Sequence, residues 1–541
     1  MASRREIADQ IVSACSARGA RLAFGVPGGG SNLDVVGACQ DQGVEFVLTH
    51  TENAAAIMAA VAGELTGAPV IALATRGPGA ASAVNGVAQA LLDRQPMVLI
   101  TDCVIHSDED RISHQRLDQR SLLDSVSNGS FAVNGSDPID PIIDLTRWPR
   151  PGPIHIDIDP SAPVDVLYSA RVESAVESPA ALDANLAALV SAAVRPVVIV
   201  GAGAAVLPPD DRAALAASLN ELGARLHIPV LCTYNARGFV PDSAPWCGGI
   251  VTGATIEAAL LSEADLIIGV GLDPVELIPA PWPYSAKVVL FGTWPIDDST
   301  FFGTVSADVV ASDLSSVVSQ LADVLGSSWH EGDAQGFRRT ALESLLATAT
   351  TSSSGLAPHE VVTIARDVAP SNAIATVDAG AHMLVAMPLW QVESPGKLLI
   401  SSGLATMGFA LPAAIAAALV EPESPVVCFT GDGGLGMVLA ELETAARLGL
   451  HIIVVVFNDS TLSLIAAKQQ PEGHGGDSAV AYGATDFAAI ARGFQMSAAS
   501  VSDVASYREA LVSALATKRP TLIDVSVDPS SYPAVLDSIR G

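Results

Sequence analysis

The chain has 541 residues, half of them apolar, which is too long for one hydrophobic core and predicts two to four domains. Its 28 basic against 58 acidic side chains give a net charge of −30, which argues against nucleic acid and anionic membrane as partners. No run reaches the ~20 apolar residues of a membrane span: residues 452–457 have strand length, and 409–420 is Ala-rich and carries Pro412.

Residues 1–20 carry Arg4, Arg5, Glu6 and Asp9 among spaced apolar residues, an amphipathic helix and not a secretion signal, so a cytoplasmic protein is expected. Short β-rich runs then alternate with Ala-rich helical stretches, at 45–48, 69–74, 97–101 and 154–157, at 196–200, 229–232, 266–271 and 287–291, and at 373–378, 426–429, 452–457 and 521–527. This alternation predicts an α/β protein of right-handed βαβ units. Soft boundaries at 172–181 and 352–355 divide it into three doubly wound parallel-sheet domains, 1–170, 182–330 and 355–541, the first and third being candidates for similar folds. The six cysteines have no C-x-x-C spacing and are expected as buried, reduced thiols.

The strongest chemical signal is Gly431-Asp432-Gly433-Gly434, directly after the apolar run 425–430 and before a helical stretch ending near Gly449. A strand, a glycine turn and a helix N-terminus favour an anion, because bare amides and the helix dipole both point at it. Asp459 follows 27 positions after Asp432, at the end of the next apolar run, in Asn458-Asp459-Ser460-Thr461. Consecutive parallel strands thus bring two carboxylates to one sheet edge. With a loop carbonyl and phosphate oxygens they make the all-oxygen shell that Mg²⁺ prefers at about 2.0–2.1 Å.

This spacing resembles the metal and diphosphate motif of thiamine-diphosphate enzymes of the acetolactate synthase and benzoylformate decarboxylase type. The resemblance implies that Asp432, Asp459 and the carbonyl of Thr461 hold Mg²⁺, and that Gly431, Gly433, Gly434, Leu462 and Leu464 contact the cofactor. The run 403–414 is similar to the preceding segment in acetolactate synthases, placing Met407 as the wedge between the cofactor's rings and Ala405 as a backbone contact to the aminopyrimidine. Asp378-Ala379-Gly380-Ala381-His382 resembles the second diphosphate turn, with His382 either an N–H donor to phosphate or a simple turn histidine.

In the first domain, Glu52 in Thr51-Glu52-Asn53 looks like the family's catalytic glutamate, whose partner is N1′ of the aminopyrimidine and whose pKa burial would raise. The glycine turns containing Gly28 and Gly29, and Arg76-Gly77-Pro78-Gly79, agree with the same resemblance. It therefore implies pyrimidine-binding, central and diphosphate-binding domains, in that order. It also implies a homodimer or homotetramer with the active site between subunits, and decarboxylation of a 2-oxo acid, with or without transfer of the acyl carbanion to a second carbonyl.

Two positions depart from the acetolactate synthase pattern. Arg76 replaces Ser or Thr and could hold a substrate carboxylate, and Lys468 replaces a tryptophan of the substrate channel. With His114, Gln115 and Gln119 as further cleft candidates, a more polar or anionic substrate than pyruvate is expected. In the central domain, Gly201-Ala202-Gly203 resembles a dinucleotide turn, but Val206 stands at the third glycine position, and 271–283 is unlike a flavin-binding loop. No FAD is expected. The rival readings are a nucleotide-dependent oxidoreductase, which leaves the Asp432 and Asp459 spacing unexplained, and a non-catalytic cofactor-binding paralogue, which the glutamate at position 52 disfavours.

Overall fold

The computed structural model describes residues 2–147, 150–163, 182–296, 299–348, 355–472 and 476–540. The expected boundary at 172–181 and most of that at 352–355 lie outside the described residues.

The first sheet is built from β1 (Leu22–Val26), β2 (Glu45–Leu48), β3 (Val70–Ala74), β4 (Met97–Thr101), β5 (Ser130–Val133) and β6 (Pro153–Ile158), in the order β2-β1-β3-β4-β6-β5. The second comprises β7 (Pro196–Val200), β8 (Val230–Cys232), β9 (Cys247–Ile250), β10 (Leu266–Val270), β11 (Lys287–Gly292) and β12 (Val305–Val310), ordered β12-β11-β10-β7-β8-β9. The third contains β13 (Ile374–Val377), β14 (Leu398–Ile400), β15 (Val426–Gly431), β16 (Ile452–Asn458), β17 (Ser497–Val501) and β18 (Thr521–Ser526), ordered β14-β13-β15-β16-β18-β17. Every pairing is parallel, and the central strands are Val-, Ile- and Leu-rich and buried along their length, as a sheet covered on both faces requires.

The first and third sheets share one strand order, so the α/β expectation and the likeness of the two domains are both met. Their order reverses between β1 and β3 and between β13 and β15, which opens a crevice at the carboxyl ends of those strands. The turns after β1, β3, β13 and β15 are those that carry the glycine motifs. The second sheet has instead the arrangement of a dinucleotide-binding domain, counted outward from β7.

By their internal contacts the described residues form two compact units, one around the first sheet and one around the second and third. In the first, the helix Arg4–Ala17 is fixed by a capping box of Ser3 and Glu6 and buries Ile7, Ile11 and Cys15 on one face. In the second unit, a buried Arg237–Asp242 ion pair ties the second sheet's loops to the third. Arg237 donates to the carbonyls of Met387 and Trp390, and Asp242 accepts from the amide of Val392 at 2.8 Å. All six cysteines are free and buried.

Candidate active site

The third sheet sets up the site. β13, β15 and β16 are neighbours, so their carboxyl ends deliver Asp378, Asp432 and Asp459 to one edge. Asp378 is fully buried and spends its oxygens on the protein: it accepts from the amides of Ala379 (2.9 Å), Gly408 (2.9 Å) and Phe409 (3.3 Å) and from Oγ1 of Thr430 (2.9 Å). Burial pushes its carboxyl up to about 6, against the pull of these four donors. The bonds pin the turn that holds Ala405 and Met407 against the sheet. That turn needs two positive φ angles, at Ala405 (+53°) and Gly408 (+78°), and the alanine is held there at a cost of about 1 kcal/mol.

Asp432 begins the helix Asp432–Met437, and its Oδ1 accepts from the amide of Gly433 at 2.6 Å. Its Oδ2 is buried without a hydrogen-bond partner among the described residues. Burial raises its pKa; the amides of Gly433, Ser460, Thr461 and Asp459 oppose that rise. Asp459 accepts from the amide of Thr461 (3.0 Å) and from Oγ of Ser463 (2.5 Å). It is pushed up to about 7, first by burial and further by the charge of Asp432.

Two carboxylates held near each other in a dry place are each short of positive charge. Among the described residues no cluster of three or more His, Cys, Asp or Glu exists, so the remaining ligands of a cation here would be carbonyl, phosphate or water oxygens. That donor set suits Mg²⁺ and not Zn²⁺. The third polar group is His382, stacked on Phe457 with ring centroids 5.3 Å apart. Burial lowers it to about 4, so the ring is neutral, and its Nε2 is buried without a partner.

Ala379, Gly380, Ala381, His382, Ala405, Met407, Gly431, Asp432, Gly433, Gly434, Asp459, Thr461, Leu462, Leu464 and Lys468 line one cavity of about 300 Å³. A Cβ added to Gly431 would meet nothing closer than the His382 ring at 3.4 Å, so open space lies over Gly431, whereas a Cβ on Gly433 would stand 2.9 Å from Leu462 Cδ2 and one on Gly434 2.6 Å from Asp378 Oδ2. Orphaned Asp432 Oδ2, orphaned His382 Nε2 and a bare glycine turn fit a metal-bound diphosphate.

In the first unit, Thr51 caps the helix Glu52–Thr66, accepting from the amide of Ala54 at 3.1 Å, and Glu52 is half-buried in its first turn. Glu52 Oε1 lies 3.0 Å from where a Cβ on Gly79 would stand, so the Gly79 position leaves room for that carboxylate. Gly28 must lack a side chain because Oγ1 of Thr75 occupies the space, whereas Gly29 is open. Gly77 turns the chain at φ +67° so that Pro78 can begin the helix Pro78–Leu92. Arg76 lies 3.8 Å from buried Asp102, which also accepts from Oγ of Ser31 at 2.7 Å.

Three comparisons with known proteins bear on this geometry. Residues 5–122, 184–318 and 378–525 match the N-terminal TPP binding, central and C-terminal TPP binding domains of thiamine pyrophosphate enzymes. The chain belongs to the thiamine pyrophosphate enzymes. It is 28% identical to the acetolactate synthase of Bacillus subtilis (strain 168), over 97% of this chain and 93% of that one. It is also 28% identical to the acetolactate synthase isozyme 1 large subunit of Escherichia coli (strain K12), over 98% and 95%. The fold is that of the Rhodococcus jostii RHA1 thiamine diphosphate-dependent 4-hydroxybenzoylformate decarboxylase, with a TM-score of 0.79 at 21% identity over 97% of this chain and 99% of that one.

Against this family frame, some residues serve structure. Gln119 is buried with its amide nitrogen given to Thr101 Oγ1 (2.8 Å), the Asp102 carbonyl (2.9 Å) and Asp157 (2.6 Å), so it braces the first sheet. His114 and Gln115 are exposed. The central glycine turn is filled from within. A Cβ on Gly201 would stand 2.6 Å from Leu272 Cα, and one on Gly203 would stand 2.9 Å from the Gly271 carbonyl. Glu276 accepts from the amide of Ala202 (2.6 Å) and from Oγ1 of Thr233 (2.8 Å), taking the place an anion would occupy.

Sequence reasoning missed Tyr532 and Arg540, which also line the third-sheet cavity. Both sit on the last helix, Tyr532–Arg540, whose apolar Val535 and Ile539 are spaced for packing. Burial drives the Tyr532 hydroxyl well above its ordinary range, with Asp459 and Asp432 adding to the effect. The spacing marks an amphipathic helix, but nothing local says that it returns to the carboxyl edge of the third sheet.

Proposed function

We propose that the protein is an acetolactate synthase-like lyase or carboligase that decarboxylates a 2-oxo acid with thiamine diphosphate held through Mg²⁺. The observation that carries this reading is the third-sheet cavity, where Asp432 Oδ2 and His382 Nε2 are buried without partners beside an open glycine turn. Asp432, Asp459 and the Thr461 carbonyl are assigned to the metal, and His382 with the amides of Gly380, Ala381 and Gly434 to the diphosphate. Ala405 and Met407 would orient the cofactor's rings, and the Glu52 carboxyl would hold a proton at the aminopyrimidine. The bound cofactor would supply the electron sink that a 2-oxo acid needs in order to lose CO₂. The chain supplies orientation, a proton at Glu52 and a dry wall.

Glu276 at the Ala202 amide supports a central domain without FAD. A cytoplasmic homodimer or homotetramer completes the reading.

The test is calorimetric titration of metal-stripped protein with thiamine diphosphate, with and without Mg²⁺, for wild type, Asp432→Ala and Glu52→Gln, followed by a screen of 2-oxo acids for CO₂ release. Binding that needs Mg²⁺, vanishes in Asp432→Ala and persists in Glu52→Gln is expected. Absence of binding to wild type sinks the reading, and binding without CO₂ release from any acid would make the protein a non-catalytic paralogue.

A further inference from the structure

The family machinery leaves two cations at the cavity without work. Lys468 projects from the helix Ser463–Glu472, and Arg540 ends the helix Tyr532–Arg540, which packs on it. Both line the cavity that also holds Asp432 and Asp459. Lys468 makes no ion pair among the described residues, and Nε of Arg540 is buried with no hydrogen-bond partner.

Lys468 is exposed, but Arg540 is half-buried, and an unpaired half-buried arginine is unexpected in this chain. With 58 acidic against 28 basic side chains it has acids in excess to choose from, and other cations use them: Arg237 with Asp242, Arg18 with Asp140 and Asp144, Lys397 with Glu421. A buried donor left unpaired costs roughly 1–3 kcal/mol. The two acids on the cavity wall are committed elsewhere, both to the assigned metal, Asp459 also to Ser463 and the Thr461 amide and Asp432 also to the Gly433 amide. Neither cation lies on a glycine turn, so the diphosphate's own donors are already accounted for by His382 and the turn amides.

We propose that Lys468 and Arg540 form a distal anion subsite, and that the substrate is a 2-oxo acid carrying a second negative group, of the 2-oxo dicarboxylate class. Arg540 offers a fork of donors to the far carboxylate and Lys468 a point charge beside it. This rests on the reading of the cavity as a thiamine diphosphate site.

The test compares two unreactive five-carbon acids that differ by one carboxylate. Glutarate and pentanoate are titrated by calorimetry into wild type, Lys468→Met and Arg540→Met, each with and without thiamine diphosphate and Mg²⁺. Wild type should prefer glutarate by about 10-fold, as one charge-assisted contact provides. Each variant should erase that preference while thiamine diphosphate affinity stays the same, and Arg540→Lys should keep part of it. In turnover, KM for 2-oxoglutarate should rise by about 10-fold and that for 2-oxopentanoate should not move.

Equal binding of the two acids by wild type, or a preference that survives both variants, overturns the proposal. So does a loss of thiamine diphosphate affinity in the variants, because the cations would then belong to the cofactor. Failure of wild type to bind thiamine diphosphate would instead defeat the reading of function, while the titrations made without cofactor still report on the subsite.

Discussion

Two glycine turns in this protein look alike in sequence and differ in kind. Gly201-Ala202-Gly203 and Gly431-Asp432-Gly433-Gly434 each follow a buried parallel strand and open a helix. In the central domain the missing side chains make room for the protein itself, since the loop after β10 crosses at 2.6–2.9 Å from where each Cβ would be. Its free helix amide is taken by Glu276. In the third domain Gly433 and Gly434 likewise make room for Leu462 and Asp378, but the space over Gly431 stays open, and the same cavity is lined by two residues with buried polar atoms that lack hydrogen-bond partners. Glycine spacing alone reports a close approach. The buried donor or acceptor without a partner says that a ligand is the thing approaching.

The largest expected effect comes from breaking the open turn. Asp432→Asn should lower Mg²⁺-dependent thiamine diphosphate affinity by about 100-fold or more, read by calorimetry. The same change removes a buried charge whose Oδ2 no hydrogen bond satisfies, so the cofactor-free protein should melt no lower than wild type. A drop in both would mean that Asp432 serves the fold as Glu276 does.

The next effect is a pH dependence. Asp378 is the third domain's inward-facing carboxylate, raised to about 6 by burial. A carboxyl group with a raised folded pKa binds its proton more tightly in the native state, so native stability grows as pH falls through that value. The stability is lost again as pH rises from about 4, the unfolded value, to about 6. The Asp378 share of the swing in cofactor-free protein should be on the order of 3 kcal/mol, and Asp378→Asn should remove that share in thermal melts from pH 4 to 7, leaving the part due to Asp459, which is pushed up to about 7.

Gly201→Ala should destabilise by about 1–3 kcal/mol, because backbone and not a flexible side chain stands in the way. Gly431→Ala should change stability by less than about 0.5 kcal/mol and still weaken cofactor binding. Urea unfolding and calorimetry on the pair separate a packing glycine from a binding one.

How much of this was legible beforehand follows from where the information sits. The alternation of apolar runs with Ala-rich stretches carried the three parallel sheets, and the 27-residue step from Asp432 to Asp459 carried the acidic edge, because adjacent parallel strands must end side by side. Fourteen residues assigned from the third domain's motifs and Lys468 meet in one cavity. Gln119, a cleft candidate by its sequence, does line a first-sheet cavity with Gln115, but its amide nitrogen is spent on Thr101, Asp102 and Asp157, which no local pattern shows. Tyr532 and Arg540 escaped because the return of the last helix to the sheet edge is a tertiary event with no local pattern. Asp378 was seen as part of a turn, yet its four donors come from residues 1, 30, 31 and 52 positions away, beyond any motif.

The smallest effect tests whether the central turn is closed by its own carboxylate. Glu276 uses Oε2 for the Ala202 amide and Oε1 for Thr233. A glutamine can accept through one oxygen only, so Glu276→Gln gives up one charge-assisted bond and forces its NH₂ toward a donor, for a loss of about 1 kcal/mol. Thiamine diphosphate affinity should be untouched, since the third-sheet cavity does not include this side chain. Glu276→Ala leaves the helix amide bare, and calorimetry with inorganic phosphate then asks whether an anion can take the vacated place. Weak phosphate binding gained only in the alanine variant would show that the carboxylate is what closes the turn. Phosphate binding already present in wild type would mean that the two turns are less different than their geometry says.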